Sequence, residues 1–417
     1  MHFLVETQEQ LDVLSNRDED CYINLVTLNP LYHPALTSPC FIYYRRRDTK
    51  GFILPISHSE TFNLKLDDII SFLSKHKNIY VYDKKFHKYF LPSSLNLIDI
   101  GFIRGAIDNS IFDFSVCSTN VHDNFSDQHS ALDILSTIIP ISKHYEKQEK
   151  TFNNVSSYLW MDKVDFYNDE FTDAFYQIEK TGLGIILHDM HKNVELSNVK
   201  HSVNGGTIHT RYNLYNTTSR PSNAFNGVNF AALTHEAKKA FIPQNDIFVE
   251  FDYSAYHPRI IAKLVGHKFK GNPYDEIPKE LMFQNLYGGI RKEHLDKPFF
   301  AKVNEYITKL WEEYNEKQYI TLATGRQVHN IDNPTPNKLF NYIIQSWETY
   351  NNTLTITKIH AYLAHKATKL ALYTYDAFLF DVSKADGVKC VKDIKNILEN
   401  NEYTVRAKRG ADYAFTK

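Results

Sequence analysis

The stretch "IFVEFDYSAYHPRIIAKLVG", residues 247–266, constrains this chain more than any other. Its first half is β-branched and aromatic, as a buried strand is, and "PRIIAKLVG" has helical apolar spacing. Between them stands a carboxylate, Asp252. A second apolar run, "LALYTYDAFLFDV", is interrupted in the same way by Asp376. Two strands that each present one Asp can hold both acids at one sheet edge. Paired carboxylates repel unless a cation lies between them. Mg²⁺ prefers such hard oxygen ligands and leaves room for phosphate oxygens. Two such ions can clamp the attacking and leaving oxygens of a phosphoryl transfer. On spacing alone a bland reading is open too, with Asp252 as an N-cap and Asp376 in a hairpin turn.

Other functions are bounded by composition. A length of 417 residues favours two or three domains, and 43% hydrophobic residues suffice for ordinary cores. The formal net charge is −2, so there is no global positive field and any nucleic-acid surface must be a local groove. Cys21, Cys40, Cys117 and Cys390 are far apart, without CxxC or Cys/His ligand spacing. That argues against a disulfide framework or a zinc site and fits a reducing compartment. "MHFLVETQEQ" lacks the basic and apolar regions of a signal peptide, and no apolar run is long enough to span a membrane. The expected location is cytoplasmic, not secreted.

Along the chain, "CYINLVTLN", "CFIYYRRR", "GFILPIS" and "NIYVYD" read as strands, while "TQEQLDVLSN" and "LDDIISFLSKH" read as helices. Residues 1 to about 115 are therefore α/β, and a boundary is placed near 145. Residues from 165 are helical, then polar and Gly/Asn/Thr-rich through 226. After the Asp252 segment come a charged helical tract at 293–317, a helix at about 337–366, and the closing strand segments "KLALYTYDAFLFDVS" and "YTVRAKRGADYAF". There is no internal repeat.

Several short motifs, in order, carry a resemblance. "FDYSAYHPRIIAKL" resembles the first palm motif of family A DNA polymerases, the bacterial polymerase I type, with Asp252, Tyr253, Ser254 and Arg259 matched. "KELMFQNLYGG" resembles their fingers motif through Lys279, Phe283, Tyr287 and Gly288, and "YTYDAFLFDV" resembles the second palm carboxylate motif through Asp376. "GTIHTRYNLYNTTSRPSNAFNGVNF" is similar to the segment before the first palm strand and supplies His209, Thr210, Arg220, Asn226 and Asn229. "ATGRQVHN" is similar to a Gly-Arg turn, and "NYIIQSWET" to a helix bearing Asn341 and Gln345. The resemblance covers roughly residues 165–417. It implies that Asp252 and Asp376 are catalytic and hold two Mg²⁺ ions, with Mn²⁺ able to substitute. It implies that Lys279, Phe283, Tyr287, His257 and Tyr253 bind the nucleotide. It implies DNA contacts from Arg220, Asn226, Asn229, Asn341, Gln345, His209 and Thr210. The residues agree with these roles. Lys279, Phe283 and Tyr287 recur every fourth position on one helix face, pairing an ammonium for triphosphate with rings for a base. Amides such as Asn341 and Gln345 can read minor-groove acceptors. Without the Asp pair, the first set reads better as an ordinary amphipathic helix, and the second reads equally well as surface polarity or capping.

The departures from the family pattern are specific. Asp275 stands where the fingers helix usually has an Arg, so one triphosphate contact is missing or comes from elsewhere. His257 stands at the usual Glu that guards against a ribose 2′-OH, and Ala377 at the usual second acid. Asp381, by strand alternation, faces away from Asp376 and is not expected to be a ligand. Only fifteen residues separate "GIILHDM" from "GTIHTRY", where the family inserts a helical thumb, and Lys279 follows Asp252 by 27 positions, short for its fingers. The N-terminal strands are similar in rhythm to the 3′–5′ exonuclease domain of the same family. "CYINLVTL" carries no acid, however; the later Asp falls near His87, and only Asp99 is left.

The expected fold is thus α+β and multidomain. A degenerate RNase H-like α/β domain at 1–145 precedes a right-hand polymerase domain at 146–417. The antiparallel palm lies at about 165–265 and 320–417, and reduced fingers at about 266–319. The expected function is template-directed DNA polymerisation from dNTPs on primer-template DNA, without proofreading and with low processivity. A partner or self-association could replace the thumb, and a phage or mobile element, hence host cytoplasm, is the expected source. Two alternatives stay open. One is a weak or inactive homologue acting as a DNA-binding or replisome scaffold; the other is a single-subunit RNA polymerase, which shares the palm.

Overall fold

The computed structural model describes residues 3–14, 19–30, 32–107, 136–196, 199, 202–223, 227–400 and 402–416. They divide into two compact units, one drawn from 1–107, 112–176 and 198–205, the other from 177–197 and 206–417. The expected boundary near 145 falls inside the helix Ile141–Val155 of the first unit.

In the first unit, the central strand Cys21–Thr27 is buried at every position. Such a strand needs a core on each face. Cys21, Ile23 and Leu25 pack with Leu11 of the helix Gln8–Leu14 and with Ile69, Phe72 and Leu73 of the helix Leu66–Leu73. Tyr22 and Val26, on the alternate face, pack with Phe41, Tyr43, Phe152 and Val155. The sheet order is Phe52–Pro55, Pro39–Arg46, Cys21–Thr27, Ile79–Val81, Leu97–Asp99. The first three strands are antiparallel and the last two join in parallel.

The second unit is built on an antiparallel sheet in the order Lys369–Thr374, Ala377–Val382, Ile247–Tyr253, Val405–Gly410. The tract read as one apolar segment is therefore a hairpin whose two-residue turn is Tyr375–Asp376. Its spine is the helix Pro336–Leu363. Thr335 caps that helix, accepting from Lys338 N, and Pro336 at its first position loses no hydrogen bond. Phe340 and Ile344 on the spine pack with Met282 and Leu286 of the helix Lys279–Gly288, with Phe299, Phe300 and Val303 of the helix Pro298–Lys317, and with Ile261 of the helix Tyr256–Leu264. Among the described residues between Met190 and Gly206 there is no long helix, and none anywhere long and apolar enough to cross a membrane.

Candidate active site

Asp252 lies at the end of its strand, opposite Ala377 on one neighbour and Arg406 on the other. Tyr253 N donates to Asp376 O at 3.0 Å, which brings the two acids to one end of the sheet. Both chain reversals there use left-handed backbone, Ala255 at φ 53° and Tyr375 at φ 64°. Each costs about 1–3 kcal/mol for a residue with a β-carbon and persists only where neighbours impose it. Asn352, buried on the spine helix, supplies that restraint. Its Nδ2 donates to Tyr375 O at 2.9 Å, and its Oδ1 accepts from Tyr256 Oη at 2.7 Å.

A cleft of about 780 Å³ opens over the acids. Its lining includes four cations, Arg220, Lys279, Arg406 and Lys408, beside Asp252 and Asp376. Lys279 begins its helix, a position where a cation is disfavoured by the helix dipole unless an anion is to be bound there. Phe283 and Tyr287 follow on the same face, 39% and 37% exposed, with ring centroids 5.4 Å apart. Asp376 is open to the cleft but crowded by protein on its other sides. Desolvation, with the charge of Asp252 added, pushes its carboxyl up to about 6. Burial also raises the Asp252 carboxyl, while Lys408, Arg406 and Lys279 pull it down.

Glu348 is the feature that motif reading missed. Its side chain is wholly buried, yet it accepts from Arg220 NH2 at 3.1 Å and pairs with His257 Nε2 at 2.7 Å. The other ring nitrogen of His257 meets the hydroxyl of Tyr287. Arg220 in turn stacks on Tyr375, 3.8 Å from the ring centroid. One buried carboxylate thus ties Arg220, through the imidazole of His257, to Tyr287 on the helix Lys279–Gly288. A signal existed, since Glu348 is the sole charged residue between Lys338 and Lys358 and lies three positions after Gln345.

The cleft gathers nine of the residues expected from sequence: Asp252, Asp376, Lys279, Phe283, Tyr287, His257, Tyr253, Arg220 and Gln345. Tyr253 is itself buried, and its hydroxyl donates to Leu398 O. Asn341 and Asn229 lie outside the cleft lining. His209 and Thr210 are engaged internally, with Glu179 O and with Asn223 Nδ2. Asn226 is outside the described residues. Asp381 accepts from the amides of Gln244 and Asn245, a structural duty. Arg406, Lys408 and Tyr274 are cleft residues that motif reading did not single out, because their place depends on strand register and on how the segment before the helix Lys279–Gly288 folds.

The fold resembles that of a polymerase domain of known structure. Among solved structures, the chain is similar to the POL domain of Pol1 from M. smegmatis, in complex with a DNA primer-template and a dNTP. The TM-score is 0.69 over 96% of each chain, with 12% sequence identity, so the likeness is one of fold. No protein-family model matches the sequence, and no curated protein does.

Proposed function

We propose that this protein is a DNA polymerase of the family A type that extends a primer 3′-OH with dNTPs by two-metal phosphoryl transfer. One observation carries the reading: a carboxylate at the end of one strand and a carboxylate in the neighbouring hairpin turn converge in the cleft that also receives Lys279, Phe283 and Tyr287 from the fingers helix. Asp252 and Asp376 fit divalent cations. They are close enough for one charge to raise the other's carboxyl pKa, and no ion pair to either is found among the described residues. They would hold two Mg²⁺, or Mn²⁺, which when bound supply electrostatic stabilisation of the transferring phosphoryl group. Lys279 neutralises triphosphate charge, and Phe283 and Tyr287 offer rings to the base pair. His257, fixed between Glu348 and Tyr287, is the side chain that meets the sugar. Arg220 and Gln345 face the primer-template minor groove.

The first unit is read as an RNase H-like scaffold without proofreading. Its strand order supports this, and so does the state of its acid. Asp99 accepts from the amides of Lys84 and Gly101, while buried His87 accepts from Leu25 N and donates to Asp83 O. A cytoplasmic setting, a phage or mobile-element source and a partner replacing the thumb belong to the same reading. One observation favours the alternative of an inactive DNA-binding homologue: Ala377 is buried and apolar where the family has a second acid.

Primer extension separates the two. Purified protein is given Mg²⁺ and either dNTPs or NTPs. Extension with dNTPs that is lost in Asp252→Asn and in Asp376→Asn supports the polymerase. DNA binding without extension supports the homologue, and extension with NTPs alone an RNA polymerase.

A further inference from the structure

We propose that Arg406, on the C-terminal edge strand, is a triphosphate-binding residue that supplies the cation missing at Asp275. The proposal rests on the polymerase reading above. In the sheet register Arg406 is directly opposite Asp252, on the flank away from the Asp376 hairpin. It lines the cleft together with Lys279 and Tyr274. Tyr274 links the two cations. Lys279 Nζ is 6.0 Å from its ring centroid, and its hydroxyl is within electrostatic reach of Asp376, Arg406 and Asp252. Arg220 and Tyr375 belong to the hairpin flank, where Tyr375 joins Asp376 in the turn. The nucleotide's phosphates and the minor groove therefore have cations on opposite sides of the acid pair.

Two other cations nearby are already occupied. Lys408 pairs with Glu250 at 3.0 Å, and Arg259 donates to the carbonyls of Ser254 and Gly271. Among the described residues, Arg406 has no carboxylate within ion-pair distance, although an aspartate lies opposite it. Cations on an edge strand also deter sheet-to-sheet pairing. That role accounts for exposed Arg409 but gives no reason for Arg406 to lie in the cleft with the acids. A guanidinium there can meet phosphate oxygens in bidentate fashion, which an ammonium cannot. When the 3′-hydroxyl loses its proton to water and its oxygen bonds to the α-phosphorus, the bond from that phosphorus to the bridging oxygen breaks and pyrophosphate leaves. Negative charge grows on the departing group, so Arg406 would act in the transition state as well as in binding.

The test uses the full chain. Binding of tripolyphosphate, of a dNTP and of primer-template DNA is measured by calorimetry for the wild type, Arg406→Gln, Arg406→Lys and Lys279→Gln. Single-turnover extension follows. Arg406→Gln should weaken tripolyphosphate and dNTP binding roughly 10- to 100-fold, the usual weight of a hydrogen bond to a charged group. Primer-template affinity and melting temperature should hold, since the side chain is exposed, and Arg406→Lys should recover part of the loss. If Lys279→Gln weakens tripolyphosphate binding and Arg406→Gln does not, the proposal falls while the polymerase reading stands. If Arg406→Gln weakens primer-template binding instead, Arg406 belongs to the DNA grip and the proposal again falls. A wild type that binds neither tripolyphosphate nor dNTP would overturn both.

Discussion

Replacing Glu348 with alanine strips Arg220 and His257 of a shared, fully buried partner, and the structure sets the scale of the effect. The carboxylate accepts from Arg220 at 3.1 Å and pairs with His257 at 2.7 Å, and its own side chain has no exposure. Removing one member of a buried ionic group costs about 3–5 kcal/mol. Two features argue for the lower end. The Arg220 side chain is 26% exposed and keeps its stack on Tyr375, and His257 keeps its contact with the Tyr287 hydroxyl. A loss of about 3 kcal/mol lowers Tm by roughly 6–12 °C for a unit of this size. Glu348→Gln keeps the shape and one hydrogen bond, so its loss should be about half as large.

The same change should slow nucleotide addition. Without Glu348 the imidazole is no longer held toward Tyr287, and Arg220 loses its anchor. We expect kcat/KM for dNTP incorporation to fall at least about tenfold, or 1.4 kcal/mol in the barrier. Thermal melting and single-turnover extension read the two effects separately. A double-mutant cycle with Arg220→Ala isolates the pair, and coupling of at least about 1 kcal/mol is expected. If Glu348→Ala melts within about 1 °C of wild type, and the cycle is additive within about 0.5 kcal/mol, the buried carboxylate organises nothing and this account of the site is wrong.

Four further outcomes are expected. Desolvation and Asp252 raise the Asp376 carboxyl from 3.8 to about 6, so the folded state favours the proton and stability falls as pH rises through that window. Asp376→Asn should therefore melt with the wild type near pH 4 and above it beyond pH 6, in EDTA; equal melting at pH 8 would count against the coupled acid pair. Burial holds His144 down to about 4, so protonation favours unfolding: the contribution of its neutral form is full above about 6.5 and about 3 kcal/mol is lost as pH falls toward 4. Urea melts of wild type and His144→Gln at pH 7 and pH 5 check this, the wild type losing more on acidification. A labelled mismatched primer with Mg²⁺ or Mn²⁺ and no nucleotide should not be shortened, and shortening that disappears in Asp99→Ala would refute the scaffold reading of the first unit. Extension in the presence of trap DNA should add only a few nucleotides per encounter, with about 0.9 of log–log salt slope lost for each phosphate contact that a thumb would have made.

Why some of this was legible in sequence and some was not follows from the range of each interaction. Strands such as Cys21–Thr27 and helices such as Leu66–Leu73 declare themselves through period and composition, which are local, and the structure has them where the pattern placed them. Lys279, Phe283 and Tyr287 were legible for the same reason, since four-residue spacing puts them on one face of one helix. Asp376 was half legible. Its apolar flanks announced strands, but the turn that presents it depends on Tyr375 accepting a left-handed φ, which no composition rule favours for tyrosine and which Asn352 holds from a helix more than twenty positions away. Strand alternation already set Asp381 apart from Asp376, but its structural duty, accepting from the amides of Gln244 and Asn245, is visible only in the fold. Glu348 and Arg406 required register and tertiary packing. A buried charge is tolerated only when its partners arrive from elsewhere, here from Arg220 and His257, 128 and 91 residues away. An exposed arginine gains meaning only when strand pairing sets it across from Asp252. The motif residues mark where chemistry is expected, while the residues that tune it sit on elements whose local sequence has no reason to look unusual.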